Sequence, residues 1–178
     1  PFYRWMTMEC NDQALTVQAF LGMKKRGERI ACLTAYDASF SRLLDQSGVD
    51  IILVGDSLGM VIKGEQNTLS VTMDEMVYHS CCVAKARKRA WLIVDLPFMS
   101  YSSLPQAAKN SARLVREGYA QMVKLEGGRR FADTIRHLVE QGIPVCGHLG
   151  LTPQSIHRIG GFRVQGKDPE VAARMKED

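Results

Sequence analysis

No apolar run in this sequence approaches the roughly 18 residues that suggest a membrane span. Cysteine pairing is also missing. The five cysteines (Cys10, Cys32, Cys81, Cys82 and Cys146) form an odd set without a C-x-x-C pair. The first residues lack the basic, apolar, small-residue order of a signal sequence. Reduced thiols in a cytoplasmic setting are therefore expected. A strong excess of one charge is absent, because 23 Lys and Arg stand against 19 Asp and Glu, a net +4. The basic residues are scattered, with Lys24, Lys25 and Arg26 expected to end one helix and Lys85, Arg87, Lys88 and Arg89 another. Cations there suit the helix dipole, so neither a nucleic-acid patch nor a membrane surface is expected. What remains is the composition of one soluble globular domain, 46% hydrophobic and 24% charged over 178 residues.

Residues 1–15 show no clear period and read as an N-terminal arm. From Thr16 a regular alternation begins, so residues 16–178 read as the folded domain. Thr16 to Arg26 places Val17, Phe20 and Leu21 on one helical face and closes at Gly27. Arg29 to Tyr36 reads as a first strand, and Asp37 as the cap of a helix carrying Phe40, Leu43 and Leu44 up to Gly48. Val49 to Val54 is nearly continuous apolar sequence, as expected of a parallel strand buried on both faces. Thr72 and Glu75 form a capping-box signature before a helix with Met76, Val77, Val83 and Ala84 inside. Trp91 to Val94 is a third strand. Ser103 and Gln106 form a second capping box, ahead of a helix with Ala108, Ala112 and Val115 that ends at Gly118. Gln121 to Leu125 is a fourth strand. Phe131, Ile135, Leu138 and Val139 stripe the next helix, and a fifth strand begins at Pro144 to Cys146.

Repeated strand-helix units argue for a parallel α/β fold, although no sequence-level repeat accompanies them. An open nucleotide-binding sheet usually carries G-x-G-x-x-G after its first strand. Here that strand ends in Thr34-Ala35-Tyr36-Asp37, which favours a (β/α)8 TIM barrel. A full barrel takes about 250 residues. Five strand-helix units are legible, ending inside a helix opened by Asp168 and Pro169, so a partial barrel without its C-terminal strands is expected. Such a sheet has two unpaired edges, and poor solubility is the expected consequence.

Polar groups follow the strands regularly. The second strand runs into Gly55-Asp56-Ser57, the third into Asp95-Leu96-Pro97, and the fourth reads Val123-Lys124-Leu125-Glu126 before Gly127-Gly128. The fifth reads Cys146-Gly147-His148. C-terminal strand ends are the catalytic face of a barrel. With neighbouring strands roughly 4.8 Å apart, the carboxyls of Asp56, Asp95 and Glu126 can converge above the middle one. Grouped hard oxygen ligands suit magnesium. Alternation turns Lys124 and Glu126 to the same side. Plainer roles stay open: a helix cap for either Asp alone, a carboxylate partner for Lys124, a hydrogen-bonded core histidine for His148. His79, His137 and His157 read as surface residues. Gly127-Gly128 before Arg129-Arg130 reads as a tight turn more readily than as a phosphate site.

The stretches Thr34 to Asp37, Val54 to Met60, Asp95 to Met99, Met122 to Gly128 and Val145 to Gln154 closely resemble the ketopantoate hydroxymethyltransferase family. The resemblance runs in order from about Thr16 to Gly166. It implies a barrel of the pyruvate/phosphoenolpyruvate group that makes 2-dehydropantoate for pantothenate. The implied donor is 5,10-methylenetetrahydrofolate and the implied acceptor 3-methyl-2-oxobutanoate. By the same resemblance Asp56, Asp95 and Glu126 hold Mg2+. Asp56, Ser57, Asp95 and Lys124 contact the oxo acid, and subunits assemble into a cytoplasmic homo-oligomer, commonly a decamer. The family's catalytic glutamate belongs to a later strand, and no residue here matches it. No catalytic residue is assigned; His148 is the one uncommitted titrating group near the site. Two other readings fit the residues. One is a magnesium-dependent carbon-carbon lyase on a 2-oxo acid, and the other a noncatalytic chain that binds metal or oxo acid without turnover.

Overall fold

The computed structural model describes residues 13–178, so most of the expected arm lies outside the described residues. Helix α1 (Val17–Arg26) opens where the Thr16 hydroxyl accepts from Ala19 N and closes at left-handed Gly27, with Lys24, Lys25 and Arg26 in its last turn. Phe20 stands edge-on to Trp91, with ring centroids 6.1 Å apart, while Leu21 points into solvent. The apolar face of α1 is thus narrower than the sequence spacing implies.

Then come β1 (Cys32–Thr34), α2 (Ala38–Gln46), β2 (Ile51–Val54), the single turn α3 (Leu58–Val61), α4 (Met73–Ala84) and β3 (Trp91–Asp95). After them follow α5 (Leu104–Arg116), β4 (Met122–Glu126), a 3₁₀ turn at Arg129–Phe131 running into α6 (Ala132–Glu140), and β5 (Val145–His148). A second 3₁₀ turn, Pro153–Ser155, leads into α7 (Ile156–Ile159), and α8 (Pro169–Glu177) follows, capped by Asp168. The five strands form one parallel sheet in the order β1-β2-β3-β4-β5. That order never reverses, so the sheet has no switch point of the doubly wound kind. It is the winding of a (β/α)8 barrel through its first five units.

Alternation along the strands creates two faces. Ile52, Val54, Leu92, Val94, Val123 and Leu125 are fully buried among Met76, Val83, Leu114 and Leu138 of the helices. The opposite face carries Ile93, Asp95, Lys124, Glu126 and His148. The register pairs Asp95 with Lys124 and Glu126 with His148, so these side chains share neighbouring rows on that face.

Several local expectations are corrected. β1 is shorter than Arg29 to Tyr36, because at its start the Asp50 carboxylate takes the Ala31 N–H at 2.9 Å in place of a ladder partner. The Thr72/Glu75 capping box forms as expected. At α5, however, Ser103 is the cap residue without a side-chain bond, and Gln106 reaches back to the N–H and hydroxyl of Ser102. Phe40 and Leu43 are 61% and 56% exposed, because α2 flanks an edge strand and turns Ser41, Leu44 and Asp45 inward instead. Val139 is likewise exposed while Leu138 is buried. The cations from Lys85 to Arg89 follow α4 instead of filling its last turn. They build the loop: Asp45 accepts from the N–H groups of Lys88, Arg89 and Ala90, and Arg89 pairs with Asp50 at 2.7 Å. His79 is half-buried, with Nδ1 2.7 Å from the Tyr36 carbonyl oxygen.

Candidate active site

The C-terminal ends of β2 and β3 bring Asp56 and Asp95 together, while Glu126 at the end of β4 turns toward Gln154 and His148. Asp95 is the last residue of β3, and its Oδ1 accepts from Lys124 Nζ at 2.5 Å. Its Oδ2 accepts from the backbone N–H of Asp56 at 3.2 Å, fixing the turn after β2 against β3. Gly55 leaves room in that turn: a Cβ there would stand 2.7 Å from Ser57 Oγ and displace that hydroxyl. Ser57 Oγ lies 2.7 Å from the Tyr36 hydroxyl, which ties β1 to the same cluster. Gly127, at φ +127°, makes the turn after Glu126.

Asp56, Asp95 and Glu126 are 3%, 4% and 4% exposed, and Lys124 is the one ammonium among them. Burial, with the charges of Asp95 and Glu126 behind it, pushes the Asp56 carboxyl up from an ordinary 3.8 to about 7. Burial also raises Asp95, with Lys124 opposing. For Lys124 burial works downward, but the carboxylates around it, Asp95 first, leave it raised.

The cluster carries more negative charge than its single cation offsets, and its donors are hard oxygens. It fits a magnesium ion, which uses one or two carboxylates and keeps positions for water and substrate. Among the described residues no three His, Cys, Asp or Glu side chains form a ready-made cage. Asp56 and Asp95 are adjacent. Glu126 is tied off on the far side, with Oε2 accepting from Gln154 N at 2.9 Å and Oε1 3.2 Å from His148 Nδ1. That last contact has ion-pair distance without hydrogen-bond geometry. His148 also lines a cavity of about 470 Å³ with Glu126, Arg130, Arg158 and Arg174. Of the cluster, Glu126 lines this cavity, and Asp56, Asp95 and Lys124 do not.

Two members of the cluster have no role in the sequence reading, although Gln154 closes one of the stretches that carry the family resemblance. Gln154 bonds Asp56, and Tyr101 bonds Gln154. Both are uncharged and distant in sequence, and only Pro153, which opens a 3₁₀ turn beside Gln154, hinted at a fixed position.

Solved structures of similar shape show the fold. 2,3-Dimethylmalate lyase, a PEP mutase/isocitrate lyase superfamily member, superposes with a TM-score of 0.62 at 15% identity, covering 92% of this chain and 59% of that one. Phosphonopyruvate hydrolase, solved with oxalate and Mg++, gives 0.52 at 14% identity over 61% of this chain and 38% of its own. The chain therefore shares the barrel fold of these proteins through its first five strand-helix units. By sequence the chain belongs to the ketopantoate hydroxymethyltransferase family, whose model matches residues 14–178. The 3-methyl-2-oxobutanoate hydroxymethyltransferase of Methylococcus capsulatus is 58% identical over 164 residues, 92% of this chain and 61% of that protein. The enzyme of the same name from Ralstonia nicotianae is 55% identical over 170 residues, 96% of this chain and 62% of that protein. The chain thus spans about three fifths of the length of the relatives it matches.

Proposed function

We propose that this chain carries the metal and oxo-acid half of an enzyme transferring a hydroxymethyl group from 5,10-methylenetetrahydrofolate to 3-methyl-2-oxobutanoate, giving 2-dehydropantoate. The observation that carries this reading is the buried carboxyls of Asp56, Asp95 and Glu126, with half-buried Lys124 among them, on three consecutive strand ends of a chain of this family. Asp56 and Asp95 would hold Mg2+ directly, with Glu126 completing the set. Magnesium there would polarise the 2-oxo group and stabilise the charge that builds as the C3 proton leaves. Lys124, held by Asp95, would set an ammonium against the carboxylate of the oxo acid. The Ser57 hydroxyl is oriented by Tyr36 at the rim of the same site.

His148 Nδ1 lies beside Glu126 Oε1, and the imidazole is the group we assign to take up the C3 proton in this chain. In D2O, retained exchange of the C3 proton in a His148→Ala variant would remove it from that role. The family reading also carries a homo-oligomer, commonly a decamer, a cytoplasmic setting, and partners limited to the oxo acid and the folate. The deciding experiment incubates the purified protein with 3-methyl-2-oxobutanoate and Mg2+, with and without the folate donor. Folate-dependent appearance of 2-dehydropantoate supports the transferase. Cleavage of a 2-oxo acid that ignores folate would replace it with a lyase.

A further inference from the structure

Gln154 has no part in the chemistry above, yet it is buried where β2, β3 and β4 end. Its Nε2 donates to Asp56 Oδ2 at 2.8 Å and to the Leu96 carbonyl at 2.9 Å. Its Oε1 accepts from the Tyr101 hydroxyl at 2.6 Å. Its backbone N–H donates to Glu126 Oε2 at 2.9 Å. A carbonyl oxygen only accepts, so Leu96 forces the nitrogen of the carboxamide to its side and leaves the oxygen facing Tyr101. Tyr101 is itself buried, with its hydroxyl 3.3 Å from both the backbone N and the backbone O of Glu126. The carboxamide is thereby held at both ends.

Among the described residues, no other hydrogen-bond donor reaches the Asp56 carboxylate. The terminal torsion of an Asp side chain is broad and nearly two-fold, so a carboxylate without a donor keeps no single orientation. We propose that Gln154 is the positioning residue of the metal site. Its amide fork sets the Asp56 carboxylate, and its backbone N–H ties Glu126 to the same turn. The inference rests on the magnesium reading above. It makes the loop after β5 part of a site whose acidic groups all come from earlier strands.

The test is the affinity of the purified protein for Mn2+ or Mg2+ alone, by calorimetry and Mn2+ electron paramagnetic resonance, with no turnover measured. Gln154→Met and Gln154→Ala keep the backbone bond to Glu126 and lose the fork. Outer-shell partners of this kind are worth about 10–100-fold in metal affinity, and a loss in that range is expected. Tyr101→Phe frees the carboxamide and gives a smaller loss, with no further loss in the Gln154→Met background. Asn110→Ala, which breaks the 2.6 Å bond from Asn110 Nδ2 to Ser100 O in the same region, lowers the melting temperature and leaves metal affinity unchanged. Wild-type affinity in the Gln154 variants overturns the inference, as does a Tyr101→Phe loss that adds fully to theirs. If the Gln154 variants fail to fold, Tyr101→Phe decides alone, and unchanged affinity there overturns it. Metal that fails to bind the wild-type protein removes the magnesium reading and this inference together. Metal that binds wild type and variants alike removes the inference only.

Discussion

Replacing Asp56 with Asn should stabilise the metal-free protein while abolishing its response to magnesium. The Asp56 carboxyl is raised from 3.8 to about 7. At 1.36 kcal/mol per pKa unit, that displacement corresponds to a penalty on the order of 4 kcal/mol for ionising the group in the folded state. The sign follows from proton counting. A folded-state value above the unfolded one means the native protein binds more protons between pH 4 and 7. Stability is then full below about pH 4 and falls as pH rises through about 7. The Asp56→Asn side chain would keep an oxygen for the Gln154 Nε2–H and lose the charge. Urea unfolding in EDTA from pH 4 to 8 should therefore show variant and wild type converging at the acid end. They should separate by a few kcal/mol at pH 8, with the variant ahead. Adding Mg2+ at pH 8 should raise the wild type alone. A difference that does not change with pH, or equal stabilisation of both proteins by Mg2+, would refute the reasoning.

Lys124→Met leaves the buried Asp95 carboxylate without its cation, and breaking such a pair costs about 3–5 kcal/mol. The loss should appear in urea unfolding at pH 8 and shrink as pH falls and Asp95 takes up a proton. Asp45→Ala removes the acceptor shared by the N–H groups of Lys88, Arg89 and Ala90. With the buried Ala90 donor orphaned at about 1–3 kcal/mol and two part-buried donors lost beside it, the melting temperature should fall while metal affinity, measured by calorimetry, stays unchanged. Thr72→Ala dismantles the capping box of α4 and should cost about 1 kcal/mol in the same unfolding assay.

The strand-helix alternation was legible because each unit carries its own punctuation. Asp37, Thr72 and Asp168 cap helices, and Gly27 ends one. The carboxyl set was legible for a related reason. In a parallel sheet with a regular order, a residue at or just past a strand end lies at the C-terminal rim whatever the helices do, which places Asp56, Asp95 and Glu126 along one rim. The turn of Glu126 toward Gln154 and His148 was not legible. Facing was harder to read. Phe40 and Leu43 occupy apolar helical positions, but outward facing depends on which strand a helix flanks, and spacing within one helix does not record that. The basic run after Ala84 misled in a similar way, because Lys85 to Arg89 act through backbone N–H groups and long-range pairing with Asp45 and Asp50. Gln154 was hidden by chemistry. A neutral amide carries no titration or metal signature, and its partners come from the ends of β2 and β3 and the turn after β3, far away in sequence.

The most direct measurement is calorimetric titration of 3-methyl-2-oxobutanoate into the purified protein, in Mg2+ and then in EDTA, alongside an Asp95→Asn variant. The carboxylate site predicts oxo-acid binding that requires Mg2+ and is lost in the variant. Equal binding in EDTA, or full binding to Asp95→Asn, would contradict it.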